Sequence, residues 1–409
     1  MQNKLKVIND PVYGFINIEN ELVFDIMEHP LFQRMRRIKQ LGLSSYVYPG
    51  AMHTRFQHSL GATFLMQNAL NVLESKGLEL NADERDGALI AILLHDLGHG
   101  PFSHTLEHTF FNGVSHETLS EEFMKIINND MNGKLGIGID IFENKYHKKI
   151  LHNLVSSQLD MDRLDYLNRD SFFTGVIEGK IGCDRIIKML TPCGEMPAIE
   201  LKGIYSVEKF LIARRLMYWQ VYLHKTVVVV EEMLKMIINR ARQIIQNGQN
   251  LFASPQLLFF LKNDITQDKI YTKFNGKTPL EYFADLDDSD IYTSIKAWKY
   301  SDDFVLSTLC KGLLNRNLFK IEISNDEISQ VRINELKNQV ISQKHIPEQY
   351  IDYFVFSGKL YNKAYSLNQN SPINILQKDG TLCNIATASD ISNVSTLAKT
   401  VVKNFVVSY

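Results

Sequence analysis

The run Ala88-Leu89-Ile90-Ala91-Ile92-Leu93-Leu94 ends on His95-Asp96, and Leu97-Gly98-His99-Gly100-Pro101 follows at once. A helix this apolar is a buried one, and an imidazole beside a carboxylate is an expensive way to end it. Such a pair needs a partner, and a divalent cation is the usual one. Gly98 and Pro101 stop the helix, and His104 and His108 come soon after. A lone histidine on an apolar face is ordinarily a satisfied core residue. A doublet, a Gly-Pro break and repeated histidines together are hard to explain by packing.

The 409 residues of the chain set wide limits. Apolar residues make up 45% and charged ones 22%, as in ordinary globular proteins. A formal charge of −2 gives no global attraction to nucleic acid, although local basic clusters can bind a small polyphosphate. Cys183, Cys193, Cys310 and Cys383 form no CxxC pair and read as reduced thiols. The polar start and the lack of a long apolar run predict a cytoplasmic protein with no membrane span.

Helical periodicity predicts helices at 21–29, 30–41, 54–76, 83–96, 116–128, 147–170 and 206–246, with Asp83 as an N-cap. The stretch 247–310 also reads as helical. Beyond it, 318–323 alternates like a strand, 326–344 is helical and 350–355 reads as a strand. Residues 373–381 suggest a hairpin turning on Asp379-Gly380, and 391–401 a last helix. The fold class is therefore mainly α, a helical core over residues 1–245, then a helical and α+β region over 246–409 suited to oligomerisation or regulation.

Four distant segments place polar residues where a buried helix should be apolar: 55–61, His95-Asp96, the stretch from His99 to His116-Glu117, and 159–170. In the last, Asp162, Tyr166 and Asp170 share one helical face, while Asp165 and Arg169 form an i, i+4 pair suited to a supporting salt bridge. His58, His95, Asp96 and Asp162 offer two imidazoles and two carboxylates to one ion. That donor set suits Mn²⁺, Fe²⁺, Zn²⁺ or Mg²⁺ and leaves coordination positions open for a water and a phosphoryl oxygen.

The phrases Gln40-Leu41-Gly42, Tyr48-Pro49-Gly50-Ala51, His53-Thr54-Arg55-Phe56-Gln57-His58-Ser59-Leu60-Gly61 and His95 through His104 resemble the HD-superfamily phosphohydrolases. The nearest likeness is to the HD core of dNTP triphosphohydrolases with the sterile-alpha-motif-and-HD architecture and their bacterial single-chain relatives, over about Asp10 to Thr226. The resemblance implies that His58, His95, Asp96 and Asp162 hold the metal, with Asp160 behind them. It implies that His104 protonates the leaving 5′-oxygen, oriented by Glu107, and that His99 and His116 contact the α-phosphate. Arg55, Arg163 and Arg214 match triphosphate-binding positions, with Tyr166 and Asp170 meeting the triphosphate and the 3′-hydroxyl. Gln40, Leu41 and Tyr222 match residues around the deoxyribose. Leu223 departs from the family, which tends to carry glutamine there. His53, His108, His147 and His152 match no role and read as structural.

The function implied is hydrolysis of a dNTP to deoxynucleoside and inorganic triphosphate, with one divalent metal and a second Mg²⁺ accompanying the triphosphate. The implied partners are a nucleotide substrate, a nucleotide effector and further copies in a dimer or tetramer, with neither membrane nor nucleic acid. Two alternatives stay open: a phosphohydrolase of another nucleotide, monophosphate or cyclic, and a non-catalytic nucleotide-binding regulator. The three arginines speak against a monophosphate enzyme, and the intact ligand set speaks against a decayed site.

Overall fold

Asn81, rather than Asp83, caps the helix that carries the doublet. Its side chain accepts the Glu84 backbone N–H at 2.9 Å, and the Glu84 carboxylate accepts the Asn81 N–H at 3.0 Å. This capping box satisfies two donors at once, and Asp83 falls inside the first turn. Residues Gly87 to Leu94 of that helix are all buried. Each large aliphatic side chain among them stabilises the fold by roughly 1.5–3 kcal/mol.

A computed structural model of the chain describes residues 6–362, 365, 372–390, 397 and 399–409, without the side chains of His104 and His108. A hairpin of β1 (Lys6–Asp10) and β2 (Gly14–Ile18) precedes α1 (Glu21–Glu28) and α2 (Pro30–Gln33). The central helices are α3 (Arg55–Ser75), α4 (Ala82–Leu94) and α5 (Ser103–Phe110), which runs into β3 (Phe111–Asn112). Then come α6 (His116–Asp130), α7 (Gly136–Phe142), α8 (Lys149–Val155) and α9 (Met161–Thr174). After α10 (Cys183–Lys188), β4 (Leu190–Cys193) and β5 (Met196–Glu200) form a hairpin leading to α11 (Ile204–Met217) and α12 (Lys225–Gln246). Next stand α13 (Pro255–Lys262), β6 (Ile265–Thr266), α14 (Pro279–Ala284), α15 (Asp288–Trp298) and α16 (Phe304–Leu314). The rest comprises β7 (Lys320–Ser324), α17 (Gln330–Lys344), β8 (Val355–Asn362), β9 (Asn374–Leu376), β10 (Leu382–Asn384), α18 (Ile385–Ala388) and β11 (Val401–Ser408). The class is mainly α, as the sequence predicts. Among the described residues, no helix is long and apolar enough to cross a membrane.

Helix α3 packs against both α4 and α9, and these three elements carry the polar cluster. The C-terminal chain is stitched back into the first part. The β9–β10 hairpin turns at Asp379-Gly380 as predicted, and β9 adds in parallel to β5 with Ile199 opposite Ile375. One contiguous apolar core runs from Ile16 to Val407.

Three predicted helices are broken, each by a tertiary demand. The 30–41 helix stops after one turn and tightens into a 3₁₀ segment, Arg34–Arg37, because buried Arg34 turns inward to donate to the Leu97 and His99 carbonyls. The 147–170 helix breaks before Asp160, whose carboxylate accepts the backbone N–H of Ser157 and of Arg163 and so caps α9. The 206–246 helix opens into a π-turn at Tyr218–Tyr222 before His224 caps α12. The 350–355 strand begins only at Val355, after a 3₁₀ turn. The predicted 391–401 helix lies largely outside the described residues, and Val401 already belongs to β11, the central strand between β7 and β8.

Candidate active site

His58 lies one turn into α3, fully buried, and its ring is oriented from behind. Nδ1 stands 2.7 Å from Asp165 Oδ2, and a carboxylate can only accept, so Nδ1 carries a proton and Nε2 is the nitrogen whose lone pair is free once the ring is neutral. His95 repeats the device with a different acceptor, its Nδ1 donating to the Ile92 carbonyl at 2.7 Å. Both Nε2 atoms therefore point inward. His58 Nε2, His95 Nε2 and Asp162 Oδ1 form a triangle with sides of 3.1, 3.4 and 3.4 Å. Its centre is about 1.9 Å from each vertex, close to the roughly 2.0–2.2 Å of a metal–nitrogen or metal–oxygen bond. The donor set and its spacing fit one divalent ion.

Asp96 completes the cluster from the side. Its Oδ1 is 3.3 Å from His95 Nε2 and 3.2 Å from His99 Nε2, while Oδ2 takes a short ion pair from Arg55 and lies 3.7 Å from His58 Nε2. The charge balance calls for a cation. Burial alone would depress the His58 imidazole, but Asp162 and Asp165 hold it at about 10. Burial would raise the Asp162 carboxyl, yet His58 and His95 keep it well below the usual carboxylate range. Behind the triangle, Asp165 is gripped at both oxygens by Arg169, 2.9 and 3.0 Å away, and Arg169 reaches Asp10 at 2.8 Å. The predicted Asp165–Arg169 support is present and extends to the His58 ring. Gly61 makes it possible, because a Cβ there would overlap both the carboxylate and the guanidinium.

The turn after the doublet brings α6 into the site. Gly98 N donates to Ser120 Oγ at 2.8 Å, Ser120 Oγ donates to the His95 carbonyl at 2.7 Å, and a Cβ on Gly98 would strike the α6 backbone. That close approach stacks His116 on His99, ring centroids 3.9 Å apart. Their environments drive them apart in charge. Burial, then Arg55, pushes His99 well below an ordinary histidine. Burial also opposes protonation of His116, but Glu107 overrides it and raises that ring. Glu107 receives the His116 ring at 2.6 Å and its backbone N–H at 3.0 Å. These bonds outweigh burial and hold its carboxyl at about 2. Glu107 is thus committed to His116. Its predicted partner, His104, has its side chain outside the described residues.

A cavity of about 390 Å³ opens on this cluster. It is lined by Gln40, Leu41, Arg55, Asp96, His99, His116, Asp162, Tyr166, Asp170 and Tyr222, all predicted from the sequence. Arg163 and Arg214 stand close enough to lower the Tyr166 hydroxyl against the raising effect of its burial. Tyr222 donates to Asp170 at 2.8 Å, and the other Asp170 oxygen takes His53 Nε2 at 2.7 Å. His53, predicted to be structural, also accepts the Gln40 backbone N–H at 3.0 Å, so it joins two walls of the cavity.

Ser44, Thr105, Tyr218 and Glu231 line the cavity without an assigned role in the sequence reading, as does Phe102, which lies within the His95–His104 phrase. Only the π-turn, hidden in an otherwise helical pattern, turns Tyr218 inward. Phe102 takes a left-handed conformation, φ 50°, rarely adopted by an aromatic residue. Asp288, at the start of α15, accepts the Lys39 N–H at 3.0 Å and also faces the Phe102 backbone. Burial raises its carboxyl to about 6. A residue far downstream thereby ties Lys39, next to the cavity-lining Gln40, to the cavity-lining Phe102.

The family comparisons agree with this geometry. The HD domain family matches residues 55–167 and the HD associated region family residues 181–253. The uncharacterized protein YwfO of Bacillus subtilis is 34% identical over 333 residues, 79% of this chain and 74% of that protein. A crystal structure of a phosphohydrolase from Bacteroides thetaiotaomicron superposes with a TM-score of 0.94, at 52% identity, over 99% of this chain and all of that one. The human deoxynucleoside triphosphate triphosphohydrolase SAMHD1 is 27% identical over 90% of this chain, which spans 64% of its length. The fold and the site define a helical hydrolase whose His/His/Asp group is compatible with a divalent metal. The chain belongs to the HD-domain phosphohydrolase family and is an enzyme of that class.

Proposed function

We propose that the enzyme hydrolyses deoxynucleoside triphosphates to deoxynucleoside and inorganic triphosphate, with residues 1–245 carrying the chemistry. The observation that carries this reading is the metal-ligand triangle opening on one cavity lined by Arg55 and Tyr166, with Arg163 and Arg214 outside the lining but near enough to act on the Tyr166 hydroxyl. A divalent ion held by His58, His95, Asp96 and Asp162 supplies Lewis acidity toward a phosphoryl oxygen and lowers the pKa of water. Arg163 and Arg214 meet the triphosphate, a polyanion suited to forked guanidinium donors, while Arg55 keeps Asp96 ionised and in place.

His99 and His116 divide the work at the α-phosphate. His116, whose protonated form Glu107 favours, offers a cationic N–H, while neutral His99 gives its one N–H to Asp96 and meets the phosphate as an uncharged ring stacked on His116. His104 gives the leaving oxygen its proton from α5, between the cavity-lining Ser103 and Thr105. Leu41 and Leu223 give the sugar an apolar wall. A 2′-hydroxyl buried there without a partner costs about 1–3 kcal/mol, which supports a deoxyribose preference despite the missing glutamine. A homo-oligomer activated by a nucleotide effector is the regulatory form we propose, with residues 246–409 serving it.

Product analysis tests the reaction. Mn²⁺-loaded protein incubated with each dNTP, NTP and dNMP, singly and mixed, should release triphosphate and deoxynucleoside from dNTPs. Stepwise phosphate release, or turnover of monophosphates alone, would overturn the triphosphate reading and leave the metal site standing.

A further inference from the structure

The metal, phosphate and sugar walls account for most of the cavity, yet one charged group in it has no task. Glu231 lies two turns into α12, the helix that packs against Gly42–Tyr46 and α5. The metal cluster sits instead on α3, α4 and α9. Among the described residues no ion-pair partner neutralises Glu231, and Lys235, one turn on, is bound to Glu232 at 2.6 Å. Its polar partner is the Thr105 hydroxyl, on the packed helix α5, which hydrogen-bonds the carboxylate and leaves its charge unbalanced. The Gln40 side-chain carbonyl oxygen, on the adjoining wall, is buried and lacks a hydrogen-bond partner among the described residues.

An unneutralised carboxylate in a cavity built for a polyanion is a cost unless the ligand answers it. Burial lifts the Glu231 carboxyl to about 7, which measures that cost. A phosphate cannot answer it, because two anions repel. Glu231 therefore orients the ligand, turning phosphates toward the arginines and leaving the nucleobase on its own wall. A carboxylate has about four acceptor sites, so beyond the single Thr105 bond each Glu231 oxygen can still accept, and two adjacent N–H donors match that pair. Guanine presents such a pair, N1–H and N2–H, on its Watson–Crick edge. Adenine and cytosine set an acceptor nitrogen beside their amino group, and thymine flanks its single N–H with two carbonyl oxygens.

We propose that Glu231 is a base-specificity residue, accepting N1–H and N2–H of a guanine base and so making dGTP the preferred substrate. This rests on the nucleoside triphosphate reading above. A site built to hydrogen-bond a group discriminates strongly against ligands that lack it, because its own buried polar atoms are then left unpaired.

The test is calorimetric binding of dGTP and dTTP to metal-free wild-type protein and Glu231→Gln, alongside kcat/KM for all four dNTPs with Mn²⁺. Wild-type protein should bind dGTP at least tenfold more tightly than dTTP. Glu231→Gln should lose at least tenfold for dGTP and change less than twofold for dTTP. Equal wild-type affinities, or a uniform loss across nucleotides in the variant, would overturn the proposal. Glu231→Asp, which keeps the charge and shortens the reach, should fall between the two and serves if the glutamine variant is unfolded. The wild-type comparison stands without any variant. Selective, Glu231-dependent dGTP binding with stepwise phosphate release would sink the triphosphate reading alone. Triphosphate release from all four dNTPs at equal kcat/KM would sink the guanine assignment alone.

Discussion

Asp165 Oδ2 accepts the His58 Nδ1 proton at 2.7 Å, and that single bond decides which nitrogen of the ring faces the metal cluster. Asp165 itself is fully buried and held by Arg169 at both oxygens. Tautomer, ring orientation and charge balance thus depend on a residue that lies behind the ligand triangle.

Asp165→Asn should therefore lower metal affinity by about 10–100-fold, the usual effect of losing such a support. Titration of the metal-free protein with Mn²⁺ measures it. An unchanged affinity would show that His58 is oriented by its packing alone.

Gly61→Ala should destabilise the protein by more than the roughly 1–3 kcal/mol of ordinary overpacking, since the added methyl meets a charged pair that cannot retreat. Thermal unfolding reports it, and an unchanged midpoint would mean that α3 and α9 can separate freely.

The Glu107–His116 pair gives a stability signature with a definite pH window. Glu107 titrates at about 2 when folded against 4.5 in an open chain, so its contribution is full above 4.5 and fades as pH falls toward 2. His116 is raised from 6.5, so its contribution is full below 6.5 and fades as pH climbs past the raised value. Glu107→Gln should show its largest loss of melting temperature between 4.5 and 6.5, shrinking on either side. A deficit independent of pH would remove the ion pair from the account.

Arg163→Ala and Arg214→Ala should each raise KM for triphosphates by about 10–100-fold, the equivalent of one charge-assisted hydrogen bond of roughly 1.5–3 kcal/mol. Binding of the deoxynucleoside product should hardly change. Equal losses for product and substrate would move the arginines from phosphate binding to structure.

Much of this site was legible in the chain. His58, His95, Asp96 and Asp162 interrupt apolar helices, and a buried polar interruption leaves a visible mark in a periodic pattern. The Asp165–Arg169 support was readable for the same reason, as an i, i+4 pair on one helix. Glu231 and Asp288 left no such mark, because an acidic residue on an amphipathic helix reads as a solvated one until something packs over it. The broken helices escaped for a related reason. Arg34 is bent inward by carbonyls more than sixty residues away, of which local propensity carries no record, and Asp160 reads as one more helical acid until its carboxylate is seen to cap α9.

Local periodicity and the cost of burying charge thus determined the helical class and singled out His58, His95, Asp96 and Asp162, while the groups proposed to face phosphate came from the family resemblance. Only the tertiary structure decided that Glu107 serves His116, that His53 ties Asp170 to Gln40, and that β9 returns to pair with β5. Those relationships join residues brought near by packing, where the energy of a contact depends on three-dimensional distance and leaves no period along the chain.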